Sequence, residues 1–296
     1  MSSSTAFVFA HFSPAGVVSS SFRALVREAR RRSEIVRFVS TGLDIGVDDE
    51  LHTLANVVSR ENIGYDFWSY RVGLLDVLEA HDVDRVVLVN NSFVALDPAR
   101  LFDGLLQPVE GPRIRGLTVS HEVSRHAQSY LVSIEDRALL RSREFESWWT
   151  GMVPVSNRDQ VVQLYEIGFS RHFHELGVPI SAAYEPSSAE LLVALSRAIA
   201  SLRWAVGQIE GDRVSIDLRP AKSLNPTHFL WDFLFRRFSL LKLELITSNP
   251  TEQNLDALVK FLQHRDDLMT LVRGAMNEKS GVVGDAPESL GQMAVL

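Results

Sequence analysis

Three short apolar runs, separated by segments of helical period, constrain this chain more than any other feature. They are AFVFAHF at residues 6–12, EIVRFVST at 34–41 and RVVLV at 85–89. Runs of that length, rich in β-branched and aromatic residues, read as buried strands. Residues 17–32 and 67–81 carry helical spacing between them. Residues 48–59 read as a further helix with acidic residues in its first turn. Strand, helix, strand in that order requires right-handed crossovers, and so a mostly parallel sheet with helices on its faces. A helix over residues 97–106 follows, with Pro98 in its first turn, and residues 114–119 and 129–134 read as two more strands.

Beyond residue 134 the pattern turns helical. Residues 158–176 form an amphipathic helix ending at Gly177, and residues 187–206 form another. Residues 225–246 are unusually aromatic, and periodicity is lost from Asn277 onward. The expected organisation is one α/β domain over residues 1–186, a helical C-terminal part packed on it over 187–276, and a flexible tail over 277–296.

Composition excludes several classes of function. The formal charge of −7 argues against a nucleic-acid partner, which needs a basic surface. With no Cys, disulfides and thiolate metal sites are excluded. MSSSTAFVFAHFSP lacks the basic start of a secretory leader. The most apolar long stretch, residues 229–246, is interrupted by Asp232, Arg236, Arg237, Lys242 and Glu244, too many charges to span a bilayer. The expectation is a soluble cytoplasmic protein, or one peripheral at the inner face of a membrane.

In a parallel sheet, ligands sit beyond the carboxyl ends of the strands. Here those ends carry His11 and Ser13 after the first strand, and Asn90, Asn91 and Ser92 after the third. The stretch Arg60, Glu61, Asn62, Ile63, Gly64, Tyr65, Asp66 reads either as a capped turn or as a loop whose backbone approaches a ligand at Gly64, with the next helix N-terminus facing a diphosphate. Asn90 to Ser92 read either as a strand-ending turn or as hydrogen-bonding groups for ribose or phosphate oxygens. They are poor ligands for Mg²⁺ or Mn²⁺, which prefer carboxylates. His121 and His126 fit no zinc signature, while His126 and Gln128 have the chemistry to contact sugar hydroxyls or phosphate. Glu166 is either a solvated helix residue or a general base facing the sheet edge. Asn225 or Thr227 reads as a helix cap with the aromatics packing the core, yet no capping argument requires His228 as well.

Taken in order, these stretches resemble the rhamnan synthesis F proteins, glycosyltransferase-like enzymes of bacterial polysaccharide assembly. The resemblance is carried by AHFSPAG at 10–16, FVST at 38–41, RENIGYDFWSYRVGL at 60–74, VLVNNSF at 87–93, GLT at 116–118 and HAQSYL at 126–131. It continues through FESWW at 145–149, YEIGFSRHFHELG at 165–177, NPTHFLW at 225–231 and LKLELITSNP at 241–250. The resemblance implies a GT-A-like, Rossmann-like mixed α/β sheet flanked by helices. It implies inverting transfer of a deoxyhexose, rhamnose, from a dTDP-rhamnose-like donor to a glycan or lipid-linked glycan acceptor of an O-antigen-type surface polysaccharide. Glu166 takes the position of the acceptor base. The donor is expected along His11, Arg60, Asn62, Gly64, Tyr65, Asp66, Arg71, Asn90, Asn91, Ser92, His126, Gln128, Asn225 and His228.

The sequence departs from the family pattern at three places. Asn91 stands where an Asp is usual, Ser13 where an Asp is common, and Arg115 where a Trp is common. The change at 91 removes the expected ligand for Mg²⁺ or Mn²⁺, so no metal is assigned. The leaving diphosphate would then rely on Arg60, Arg71, His126, His228 and Lys242. The same change supports the alternative of a glycan- or nucleotide-sugar-binding scaffold with reduced turnover. Residues 225–250 are expected to close over the donor and to touch an anionic membrane surface, the rival reading being a buried helical pair.

Overall fold

The computed structural model describes residues 4–43, 49–108, 111, 113–121, 123–201, 207–210, 213–216 and 224–280. The chain begins with β1 (Thr5–Phe12), α1 (Ser20–Arg32), β2 (Ile35–Thr41), α2 (Asp49–Leu54), β3 (Asn56–Ser59), α3 (Tyr65–Ala80) and β4 (Arg85–Asn90). It continues through β5 (Phe93–Ala95), α4 (Pro98–Leu105), β6 (Arg113–Gly116), β7 (Val119–Ser120), β8 (His126–Ala127) and β9 (Leu131–Glu135). Then come α5 (Arg137–Leu140), α6 (Arg143–Thr150), α7 (Arg158–Val161), a π-helical turn (Val162–Ile167), α8 (Gly168–Glu175) and β10 (Ile180–Ala182). The remainder is α9 (Ser188–Ser201), β11 (Gly207–Glu210), β12 (Arg213–Ile216), α10 (Pro226–Phe229), α11 (Trp231–Phe238), β13 (Leu240–Lys242), α12 (Leu243–Thr247), α13 (Asp256–Gln263) and α14 (Asp266–Ser280).

Seven strands form the main sheet, in the order β10-β6-β9-β4-β1-β2-β3. All pairings among β1, β2, β3 and β4 are parallel, and β9 runs against both β4 and β6. The fold is thus the expected mixed α/β sheet flanked by helices. Along β1, Phe7 and Phe9 face one apolar cluster, while Ala6, Val8 and Ala10 face the other. Helices α1, α4 and α11 cover the first face, and α3, α6 and α8 the second. Each large side chain fully buried this way contributes about 1.5–3 kcal/mol.

Three expectations are corrected. Residues 48–59 are not one helix: α2 stops at Leu54, and Asn56–Ser59 is the edge strand β3, paired with β2. Val57 and Val58 are β-branched and fit a pleated edge better than a helix interior. Helix α14 runs to Ser280, past the expected start of the tail at 277; residues 281–296 lie outside the described residues. The excess of aromatics in residues 225–246 is core. Leu230 breaks the helical run, so α10, α11 and β13 send Phe229, Leu230, Leu234, Phe238 and Leu240 into the cluster beneath the sheet. Phe235, Leu241, Leu243, Leu245 and Ile246 enter a separate cluster with α13 and α14. Two clusters together need more apolar residues than one helical stripe supplies. Arg236 and Arg237 pair with Asp232 and Glu190. No helix among the described residues is long and apolar enough to cross a membrane.

Candidate active site

Strand β1 has β2 on one side and β4 on the other, and the chain crosses over between them. Such a switch point opens a crevice at the carboxyl ends of the strands. Asn90, Asn91 and Ser92 stand at that edge at the end of β4, with Asn90 and Asn91 buried. Asn90 donates Nδ2 to Asp66 Oδ2 at 2.7 Å, and its Oδ1 accepts from Ser92 N at 3.0 Å and Ser92 Oγ at 2.5 Å. Asn91 donates Nδ2 to the carbonyl of Phe12 at 2.9 Å, which ties the loop after β4 to the end of β1. Its Oδ1 accepts from Lys279 Nζ at 2.6 Å. Ser92 Oγ accepts from Lys242 Nζ at 2.5 Å.

Asp66 is presented by the loop 60–66 at the N-terminus of α3. Gly64 caps that helix in the left-handed region, at φ +70°. A Cβ there would lie 2.7 Å from Trp68 Cβ, so only glycine fits. Arg60 holds the loop from inside. Its guanidinium donates to the carbonyls of Glu61, Ile63 and Tyr65 and to Ser69 Oγ, at 2.6–3.0 Å. Burial lowers its pKa to about 10. Asn62 and Tyr65 are exposed on this loop, and Tyr65 donates its hydroxyl to the Ser156 carbonyl at 3.2 Å.

Glu166 enters from the π-helical turn. Such turns widen a helix locally and re-aim a side chain, and they concentrate at functional sites. Glu166 Oε1 accepts from the backbone N–H of Ser129 at 2.8 Å, and no group among the described residues bonds Oε2. The Ser129 carbonyl in turn accepts from the buried Tyr70 hydroxyl at 2.9 Å. Burial raises the Tyr70 pKa well above its ordinary value, and the nearby carboxylates Asp66 and Glu166 raise it further. Tyr70 therefore feels both acids. Tyr130 feels Glu166 too, and its hydroxyl bonds Thr118 Oγ1 at 2.8 Å.

The other wall is C-terminal. Strand β13 pairs with β5, putting Lys242 opposite Phe93 and its ammonium 4.2 Å from the Tyr130 ring centroid. Burial lowers the Lys242 pKa to about 8, against the attraction of Glu244, Glu166 and Asp66; Lys279 adds to the lowering. His228 is buried, and neither ring nitrogen has a hydrogen-bond partner among the described residues. Its Nε2 lies 4.0 Å from Glu244 Oε2, while Arg158 binds Glu244 Oε1 at 2.6 Å. Burial, with Lys242 close by, lowers the His228 pKa to about 4 despite Glu244.

Several expected donor contacts are engaged elsewhere. His11 is buried, with Nδ1 2.8 Å from Ser40 Oγ and Nε2 2.8 Å from Glu278 Oε1. Arg71 donates to the Trp149 carbonyl at 2.8 Å and lies over the Trp68 ring. His126 Nδ1 lies 2.8 Å from the Ser124 carbonyl oxygen. Gln128 Oε1 accepts from Thr118 Oγ1 at 2.7 Å. Asn225 caps α10, with Oδ1 accepting from Thr227 N at 3.1 Å. The crevice thus joins Asp66, Asn90, Asn91, Ser92 and Glu166 to Lys242 and Lys279. Sequence reasoning missed Lys279 and its neighbour Glu278. The signal was there: Glu278 follows Ala275 by three residues and continues the buried stripe of Leu268, Val272 and Ala275.

These residues do not fit a divalent metal. The loop offers two neutral amides and a hydroxyl, and Asp66 Oδ2 is already bonded to Asn90. An ammonium sits on Asn91 Oδ1 where a cation's ligand would be needed. No group of three or more His, Cys, Asp or Glu side chains suited to a metal occurs among the described residues.

Comparison with known proteins places this crevice in context. The family model for rhamnan synthesis protein F matches residues 43–196. The virulence protein VirA of Vibrio anguillarum is 28% identical over 200 residues, covering 66% of this chain and 63% of that protein's length. The uncharacterized protein y4gN of Sinorhizobium fredii is 27% identical over 136 residues, covering 44% of this chain and 35% of its own. Among solved structures, the glucosyl-3-phosphoglycerate synthase of Mycobacterium tuberculosis bound to Mg²⁺ and UDP is 15% identical, with a TM-score of 0.35, over 68% of this chain and 78% of that one. A 4-diphosphocytidyl-2C-methyl-D-erythritol synthase is 12% identical, with a TM-score of 0.36, over 62% and 89%.

Proposed function

This chain belongs to the rhamnan synthesis protein F family, and from that premise we propose that it is a GT-A-like glycosyltransferase using a nucleoside diphosphate sugar. One observation carries the reading. The Glu166 carboxylate, fixed by the Ser129 N–H, shares one edge of the sheet with Asp66, the polar loop 90–92 and the Lys242 ammonium. A base, hydrogen-bonding groups for a nucleotide and positive charge for a leaving diphosphate are what glycosyl transfer requires.

In the proposed reaction, the acceptor hydroxyl gives its proton to Glu166 as its oxygen attacks the anomeric carbon. The bond to the diphosphate oxygen breaks through an oxocarbenium-like transition state, and the bonding pair leaves with the diphosphate. A single displacement inverts the anomeric centre. The donor sugar is proposed to be a deoxyhexose, rhamnose, carried on dTDP. The acceptor is proposed to be a glycan or lipid-linked glycan on the cytoplasmic side. Any contact with an anionic membrane would rest on the exposed guanidiniums of Arg236 and Arg237, since the apolar neighbours are buried.

A thermal-shift screen over dTDP- and UDP-sugars tests this reading. A ligand at 100 times its Kd stabilises the native state by about 2.7 kcal/mol, and so raises the Tm by several degrees. The donor is expected to do so, and to be turned over when acceptor is added. A flat screen would contradict the reading. Asn91 favours a second reading, a scaffold that binds the sugar nucleotide and releases no nucleoside diphosphate. A shift without release would support that one.

A further inference from the structure

We propose that the Lys279 ammonium, held on Asn91 Oδ1 by the last turn of α14, binds the donor's diphosphate together with Lys242 and replaces a divalent metal there. The inference rests on the nucleotide-sugar reading above. Four observations support it. The two ammoniums bond adjacent residues of the loop after β4: Lys242 to Ser92 Oγ at 2.5 Å, Lys279 to Asn91 Oδ1 at 2.6 Å. Residue 91 is an amide, which accepts a hydrogen bond from an ammonium without neutralising it. Asp66, the carboxylate beside them, is bonded to Asn90, and its charge acts on Lys279 through space. Burial lowers the Lys279 pKa, against the attraction of Asp66 and Glu278.

Lys279 is also built in rather than trailing. The residue before it, Glu278, is fully buried. Its carboxylate accepts from the Ser19 N–H at 3.0 Å and the Ser19 hydroxyl at 3.1 Å, at the N-terminus of α1, and lies 2.8 Å from His11 Nε2. The Glu278 carbonyl accepts from Ser13 Oγ at 3.0 Å. A carboxylate at a helix N-terminus is favourably placed against the dipole. This latch fixes the end of α14 against β1 and α1, and so points the neighbouring Lys279 at the loop. In the transfer step, the bond from the anomeric carbon to the diphosphate oxygen breaks, and the diphosphate takes the electron pair. The two ammoniums face that developing charge, while the acceptor proton passes to Glu166. No metal or other co-reactant is needed for the balance.

The test uses the full chain and two probes, dTDP and dTMP, titrated calorimetrically with EDTA and with MnCl₂. Wild type is expected to bind dTDP more tightly than dTMP and to bind it equally in EDTA. Lys279→Met is expected to weaken dTDP by about 10- to 100-fold and to leave dTMP within about twofold, since only the second phosphate meets the ammonium. Lys279→Arg should restore most of the loss. Paired with Lys279→Ala, Asn91→Asp should make dTDP binding depend on Mn²⁺. Should Lys279→Met lose cooperative unfolding, Lys279→Gln, which keeps a donor for Asn91 Oδ1, makes the same comparison. Equal dTDP affinity in wild type and Lys279→Met, or loss of wild-type binding in EDTA restored by Mn²⁺, would overturn the assignment. Binding of neither nucleotide by wild type would overturn the dTDP-sugar reading on which the inference rests.

Discussion

The two walls of the crevice are made in different ways. The first wall, from the loop 60–66 to Glu166, lies inside the stretch matched by the family model and is held by bonds of shorter span: Arg60 to its own loop, Asn90 to Ser92 and, across 37 positions, Glu166 to Ser129. The second wall, Lys242 and Lys279, comes from the end of the chain and is held by contacts across 150 and 188 positions. A locally determined wall announces itself in short motifs. In the wall delivered by distant packing only Lys242 lies in such a motif, LKLELITSNP at 241–250; Lys279 is ordinary until the fold brings it to the loop. In the proposed reaction the first wall supplies the base and the polar cradle, and the second the positive charge.

The largest expected effect breaks the second wall alone. Glu278→Ala removes a buried carboxylate and strands His11 and Ser19. Loss of one partner in such a network costs about 3–5 kcal/mol. In a domain of this size the Tm should fall by roughly 10 °C. A change under 2 °C, read by calorimetry at about the precision of such scans, would mean that the latch does not hold α14.

Next is the acid sensitivity of His228. Its pKa is about 4 in the fold against an ordinary 6.5, so the unfolded chain binds the extra proton between those values. Stability should therefore fall by up to roughly 3 kcal/mol as pH drops through that window, because a pKa unit is worth about 1.4 kcal/mol. Glu244, whose own pKa is lowered chiefly by Arg158 and Lys242 against its burial, adds to the loss only at the acid end. The part above pH 5 should vanish in His228→Asn; urea midpoints at pH 5 and 7 for both proteins check it. An unchanged pH slope in the variant would show that His228 is not the group responsible.

The first wall is challenged by Gly64→Ala. A left-handed φ and the contact with Trp68 should cost about 1–2 kcal/mol and loosen Asp66. Nucleotide affinity should fall together with stability. A variant as stable as wild type would show that the loop adjusts.

The remaining effect separates the walls by sign. Burial holds the Lys242 pKa near 8, so stability should rise with pH from about 8 towards 10, where the unfolded chain still binds the proton and the fold does not. Nucleotide affinity should fall over the same range, as the ammonium is lost. The groups setting this balance are Glu244, Glu166, Asp66 and Lys279. Parallel rather than opposite trends would remove Lys242 from the diphosphate site.

The contrast also explains what the sequence made legible. The three strand runs are β1, β2 and β4 and pair in parallel as expected, whereas the edge strand β3 was read as helix; Asn90 to Ser92 fell at the carboxyl edge as expected from the switch-point rule. The segment 225–246 was less legible, because its excess of aromatics serves two cores at once, and no single helical stripe reveals that. Arg71 and His126 carry suitable chemistry but meet backbone carbonyls, a choice that depends on tertiary packing. Lys279 was hidden by its neighbours: a polar stretch after Asn277 reads as the end of a helix, whereas the buried position of Glu278 carries the helix on to Ser280.

The central claim is that the two walls divide the work, with the base on the first. It is tested most directly by measuring donor affinity and turnover together in Glu166→Gln. The variant keeps shape and the hydrogen bond to Ser129 and loses basicity. Turnover should fall by about 10²-fold or more, with the Kd for the nucleoside diphosphate sugar unchanged. Near-normal turnover would place Glu166 outside the chemistry and contradict the account.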